Sequence, residues 1–248
     1  TMDKMVYIAA SGAKQSLQGL ALKANNLANA NTTGFKADFA QARSMQAFGE
    51  GLPTRVFSMQ ERPGSNMVSG GIVQTGRDLD IAMSDNAWLA VQDASGNEAY
   101  TKVGTLNVTA QGMLVTSHGR QVIGEGGPVI LPVPVEKIGF SQDGAIQVRP
   151  QGAPANFLEE IDTLRVVEAN SSQLEKGNDG LFRPKANVTV DTSANVKVLS
   201  GSLEMSNVNP VHEMVDMISH QRQFELQVKL MKTAEEIDER QDQLLRIV

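Results

Sequence analysis

The chain has 248 residues, no cysteine, and 28 Asp and Glu against 22 Lys and Arg, for a formal net charge of −6. That length buries a real core in one large or two modest domains. The missing cysteines exclude disulfides, zinc–thiolate sites and thiol nucleophiles. The acidic balance, with no local Lys/Arg run, argues against nucleic acid, which needs a clustered basic surface to displace counterions.

From the N-terminus, Val6, Ala10, Ala13, Leu17, Leu20, Ala24 and Leu27 recur in alternating steps of four and three. This is the heptad seam of a coiled coil, and equally the stripe of an amphipathic helix lying on a core. Met5–Ala10 is too short an apolar run for a secretory signal, so the segment is read as a helix kept in the mature protein. Asn29, Asn31, Thr32 and Thr33 are poor helix-interior residues, and Gly34 can take the left-handed conformation that stops a helix. Phe35 then stands where a hydrophobic contact back toward Ala30 would close the cap.

Residues 37–70 read as an extended connector with one short strand. Residues 71–205 are rich in glycine and valine with frequent turn signals, among them Ser95-Gly96-Asn97, Asp143-Gly144 and Asn178-Asp179-Gly180. Strands are expected at 79–83, 87–93, 98–102, 105–109, 113–116, 128–131, 136–140, 145–148, 161–167, 181–183 and 195–199, forming a sandwich or irregular barrel anchored by Trp88 and Leu89. Asn209 and Pro210 form an N-cap followed by proline at the first helical position. No glycine or proline follows, so a helix over 210–247 would be about 55 Å long. Its apolar positions are Met214, Met217, Phe224, Val228, Met231, Ala234, Ile237, Leu244 and Val248. So long a helix needs another alongside it. The fold class expected is α+β: long N- and C-terminal helices pairing in a coiled-coil-like manner, residues 2–36 with 206–248, around an all-β middle.

Catalytic and cofactor signatures are sparse. The Gly124-Glu125-Gly126-Gly127-Pro128 cluster lacks a following helix to present N–H groups to phosphate, and is read as a turn. His212, Asp216 and His220 fall on one helical face, but the spacing departs from the zincin pattern and surface histidines are the commoner reading. No catalytic residue, metal or cofactor is assigned. No apolar stretch approaches the roughly 20 residues that span a bilayer.

Two signatures carry a resemblance. Residues 24–36, including Asn25, Asn26, Leu27, Asn29, Gly34 and Phe35, resemble the N-terminal motif of the flagellar rod and hook protein family. Ser206, Asn207 and Val208, with the residues that follow to Glu225, resemble that family's C-terminal motif. The middle stretches Thr75–Ala82 and Ala87–Gln92 are more similar to the proximal rod branch than to distal rod or hook members. The resemblance implies a structural subunit of the basal-body rod, within the periplasm, transmitting torque for motility. Its partners would be further copies of itself, other proximal and distal rod proteins, and the flagellar type III export machinery. The subunit interface is expected on both helical seams, and isolated helices are expected to be disordered until neighbours cover them. The readings of another class are a rod-associated peptidoglycan hydrolase and an extracellular β-rich adhesin.

Overall fold

The computed structural model describes residues 2–40, 42–46, 56–60, 64–154, 156–192 and 196–245. The chain is α+β, with one helix at each end and a β-rich middle. It divides into two compact units. The first holds residues up to Asn29, Asp38–Gly64 and everything from Val208; the second holds Ala30–Ala37 and Ser65–Asn207.

In the first unit, helix α1 (Met2–Ala28) packs along helix α2 (Pro210–Leu245). The long C-terminal helix expected from the unbroken sequence is present, and residues 246–248 lie outside the described residues. Asn209 caps it: its side-chain oxygen accepts from the backbone N–H of Val211 at 3.1 Å and of His212 at 3.3 Å. Glu213 in the first turn places negative charge at the positive end of the helix dipole.

The connector contains more structure than the sequence suggested. Strands Ala42–Gln46 and Val56–Gln60 form an antiparallel ladder with Arg43 opposite Met59 and Met45 opposite Phe57. Neither strand carries a tight-turn dipeptide at its end, the signal by which hairpins are read from sequence. The chain joining them lies outside the described residues.

In the second unit, among the described residues, a five-stranded antiparallel sheet runs in the order Val166–Glu168, Ala87–Gln92, Glu98–Thr101, Phe182–Pro184, Leu174–Lys176. A three-stranded antiparallel sheet follows the order Val135–Phe140, Ala145–Pro150, Glu159–Thr163. Strand Ala87–Gln92 is buried on both faces and divides the core in two. Ala87, Leu89 and Val91 point into one cluster with Ile81, Leu106, Leu114 and Ile146. Trp88 and Ala90 point into another with Tyr100, Val167, Leu174 and Phe182. Trp88 lies 4.5 Å from the Phe182 ring, centroid to centroid, and its indole N–H donates to the Ala169 carbonyl at 3.1 Å. That bond satisfies the polar atom of a side chain only 1% exposed.

Two expected strands resolve differently. The single strand expected at 161–167 is split, because the chain changes sheets at Leu164 and Arg165. Leu164 is buried, its N–H donates to the Gly144 carbonyl, and the Arg165 N–H donates to that of Ile123. Of the strand expected at 128–131, only Pro128 lies in a strand, in a short hairpin of Ile123–Gly124 against Gly127–Pro128, and Ile130 makes an isolated bridge to Met113; the glycine cluster is the turn it resembles. Residue 195, at the start of the strand expected over 195–199, lies outside the described residues, and the strand there is Val198–Ser200.

Candidate assembly surface

The helix pair runs antiparallel, as its contacts along the length require. Asn26 and Lys23 meet Glu213 and Asp216, Gly19 faces His220, and Gly12 faces Gln227. A Cβ on Gly19 would fall 2.7 Å from the His220 ring, and one on Gly12 would fall 2.9 Å from the Gln227 amide. The stripe that α1 turns toward its partner is therefore made of small residues: Ala9, Gly12, Ala13, Ser16 and Gly19. Small side chains let two helix backbones approach closely and leave little apolar area to bury.

At the end of α1 the contact becomes polar. Asn26 is fully buried; its amide donates to the Asp38 carbonyl at 2.8 Å and its oxygen accepts the Asp38 N–H at 3.0 Å. The same amide reaches Glu213 at 3.3 Å. Lys23 lies 2.7 Å from Asp216 and 3.3 Å from Glu213. Burial pulls its ammonium down, but the Asp216 hydrogen bond and the Glu213 charge outweigh it and leave Lys23 above its ordinary value. The Lys23 hydrogen bond holds the Asp216 carboxyl below the usual range. Asp216, set on one face with His212 and His220, is thus engaged by an ammonium.

The seam residues expected from sequence fall into two groups. Ala13 is buried, and Val6, Leu20, Ala24, Leu27, Met217, Phe224 and Met231 are partly covered. Ala10, Leu17, Met214, Val228 and Ile237 are exposed. The side chain of Leu244 lies outside the described residues. A single chain thus covers one stripe of α2, running through Met217, Phe224, Met231 and Ala234. It leaves a second one open: Val211, Val215, Ile218, Leu226, Leu230 and Ile237 are all at least 44% exposed. Their recurrence in steps of three, four, seven and eight keeps them on one side of the helix. On α1, Tyr7, Ile8 and Leu17 are likewise uncovered.

The motif residues have internal roles. Asn26 is the bidentate brace just described, and the Asn29 amide donates to the Asn25 carbonyl. Asn25 is exposed. Asn207 accepts the Ala37 N–H at 2.8 Å and donates to the carbonyls of Asn66 and Val68, both at 2.8 Å. Ser206 is half-buried and Val208 buried. Gly34 does not end α1, which stops at Ala28; it serves a separate turn beyond the helix, because the N–H groups there find partners in the second unit. Its φ is +69°, and a Cβ would fall 2.4 Å from the Lys102 carbonyl carbon, so conformation and space both require glycine. Phe35 lies under the Lys176 ammonium, 4.2 Å from its ring centroid.

Sequence reasoning passed over three residues of the second unit. Lys36, Lys102 and Glu204 are each no more than 2% exposed. Lys36 is paired with Glu204 at 2.6 Å, and Lys102 lies 3.4 Å from the other carboxylate oxygen. Each reads in sequence as an ordinary surface charge.

Three family signatures match the chain. One, described as flagella basal body rod protein, covers residues 6–36. The second, flagellar hook protein FlgE/F/G D1 domain, covers 82–148. The third, flagellar basal body rod FlgEFG protein C-terminal, covers 199–244. With the full-length similarities that follow, these define the class: the chain belongs to the family of flagellar basal-body rod proteins, structural subunits of the flagellar basal body within the periplasm.

Within that family it is 39% identical to the flagellar basal-body rod protein FlgF of Escherichia coli, over 98% of this chain and 99% of the relative. It is 38% identical to FlgF of Salmonella typhimurium over the same shares. The basal-body rod protein FlgG of Agrobacterium fabrum is 30% identical, over 94% of this chain and 96% of the relative.

Proposed function

We propose that this subunit polymerises into the proximal rod through the helix faces that its own α1–α2 pair leaves uncovered. The observation that carries this reading is the second apolar stripe of α2, Val211, Val215, Ile218, Leu226, Leu230 and Ile237. A fully buried Leu, Ile or Val contributes about 1.5–3 kcal/mol, so covering six half-exposed side chains supplies an appreciable association energy. Heptad-like spacing on both sides of α2 suits a coiled-coil-like wall in which each α2 contacts its own α1 on one side and a neighbour on the other. Contacts that repeat without closing build a helical filament.

The assembly domain in this reading comprises residues 2–36 and 206–248, with 37–70 as connector and 71–205 as the β-rich part. The seam residues named from sequence act on both its inner and outer faces. Neighbours are further copies and other rod proteins, proximal and distal, delivered by the flagellar type III export machinery. The role is structural rather than enzymatic, carrying torque along the shaft.

The test places charge on the open stripe. Ile218→Asp and Leu226→Asp should abolish recovery of the protein in purified basal bodies and stop swimming, while the soluble subunit keeps its helical content. Normal incorporation of both variants would sink the proposal.

A further inference from the structure

The buried charges of the second unit join parts of the chain that lie far apart. Lys36 and Glu204 are separated by 168 positions, yet their ammonium and carboxylate are 2.6 Å apart. Lys36 is the last residue of the N-terminal family match, Lys102 falls within the middle one, and Glu204 falls within the C-terminal one. Glu204 also accepts the Gly70 N–H on its carboxylate at 3.1 Å and the Gly34 N–H on its backbone carbonyl at 2.8 Å. Lys36 donates to the Val68 carbonyl at 3.0 Å. Lys102 donates to the Ser84 and Asp85 carbonyls at 2.8 and 2.9 Å, with its ammonium 5.3 Å from the Trp88 ring centroid. Two cations share one carboxylate in a site closed to water.

A buried ammonium without its counter-charge is strongly unfavourable. Lys36 cannot enter this site until Glu204 occupies it, and Glu204 cannot enter without a cation. We propose that Lys36, Lys102 and Glu204 form an ionic latch in which Glu204, carried by residues 202–207, must be in place before residues 30–37 can close onto the β-rich unit. Closure of the N-terminal segment is conditional on arrival of the C-terminal one. A chain whose far end is absent or displaced keeps its two lysines in water and its N-terminal segment open.

The closed latch holds one positive charge in excess, and that fixes the sign of its response to pH. Burial pushes Lys102 down to about 8; Glu204 opposes this, Lys36 adds to it, and Asp85 opposes it. In the open chain the same ammonium keeps its proton to about 10.5. Between those values the open state binds more protons than the closed one, so closure is favoured as pH rises.

Amide exchange on the full-length chain, corrected for intrinsic rates, tests this. Glu204→Gln should lower protection at Gly34, Ala37 and Gly70 by roughly tenfold or more, while Leu89 and Val91 in the central strand stay protected. Lys36→Met, which leaves Glu204 its pair with Lys102, should loosen residues 30–37 while the distant 202–207 amides stay protected. Lys102→Met, which leaves a neutral Lys36–Glu204 pair, should keep the latch shut and remove the rise in wild-type protection between pH 7 and 9.5. Uniform loosening of every amide in Glu204→Gln would overturn the latch, as would loosening by Lys102→Met equal to that of Glu204→Gln. Should Glu204→Gln fail to fold, the wild-type pH profile and Lys102→Met decide alone: a flat profile overturns the proposal.

Discussion

The β-rich unit and the helix pair spend their apolar residues in opposite ways. The β-rich unit buries large apolar side chains, Trp88, Ile81, Leu89, Leu106, Leu114 and Ile146, to 1% exposure or less. The helix pair buries alanines, Ser16, Asn26 and Glu213, and holds Ile218, Leu226 and Leu230 out to solvent. Burial energy scales with apolar area, so the first region stabilises itself while the second leaves much of its apolar area for something else. Isolated helices are marginal in water, and a seam of alanine and glycine adds little to them.

The contrast can be broken most forcefully in the β-rich unit. Trp88→Ala empties the smaller core cluster and orphans the Ala169 carbonyl; it should cost about 3–5 kcal/mol in urea unfolding. A loss below about 1 kcal/mol would mean that this cluster does not organise the unit. Gly34→Ala should follow at about 2–3 kcal/mol, since it combines a left-handed backbone with a Cβ driven into the Lys102 carbonyl. A neutral result would show that the turn can move away.

In the helix pair the expected effects are smaller and polar in origin. Asn26→Ala removes the two hydrogen bonds that the Asn26 amide makes to the Asp38 backbone and should cost about 1–3 kcal/mol. It should also release the Asp38 amide to exchange. Lys23 and Asp216 form a partly exposed pair, worth about 0.2–1 kcal/mol. Asp216 is depressed in the folded state, so its contribution is present above the ordinary carboxylate range and is lost as pH falls through the folded value. Lys23→Met should move the Asp216 titration, followed by carboxyl NMR, back up toward its ordinary position. No movement would assign the shift to something other than Lys23.

Much of this architecture was legible in the sequence, for local reasons. Asn209 and Pro210 mark the start of α2, the absence of glycine and proline marks its length, and the turn dipeptides separate most β-strands. What was illegible depends on partners distant in sequence. Lys36, Lys102 and Glu204 become one site only when the fold gathers them. The strand expected at 161–167 divides because Gly144 and Ile123 capture the backbone at Leu164 and Arg165, which no local pattern announces. The small-residue stripe of α1 was present in the sequence as Ala9, Gly12, Ala13, Ser16 and Gly19. The periodicity reading followed a strict alternation of four and three steps, which took in Ala13 but also Ala10 and Leu17, which the structure leaves exposed, and stepped over Ala9, Gly12, Ser16 and Gly19.

The smallest expected effect on stability makes the sharpest test of the comparison. Leu226 is 60% exposed on α2, so Leu226→Ser should change unfolding of the isolated subunit by no more than about 0.5 kcal/mol. If the open stripe is reserved for neighbours, the same substitution should weaken incorporation into basal bodies in competition with the wild type. A side chain whose loss is silent in the single chain but felt in the assembly has its partner in another molecule. Appreciable destabilisation of the isolated chain would instead place the Leu226 contact within its own fold. The outer stripe would then belong to the subunit's own stability, and the division between the two regions would fail.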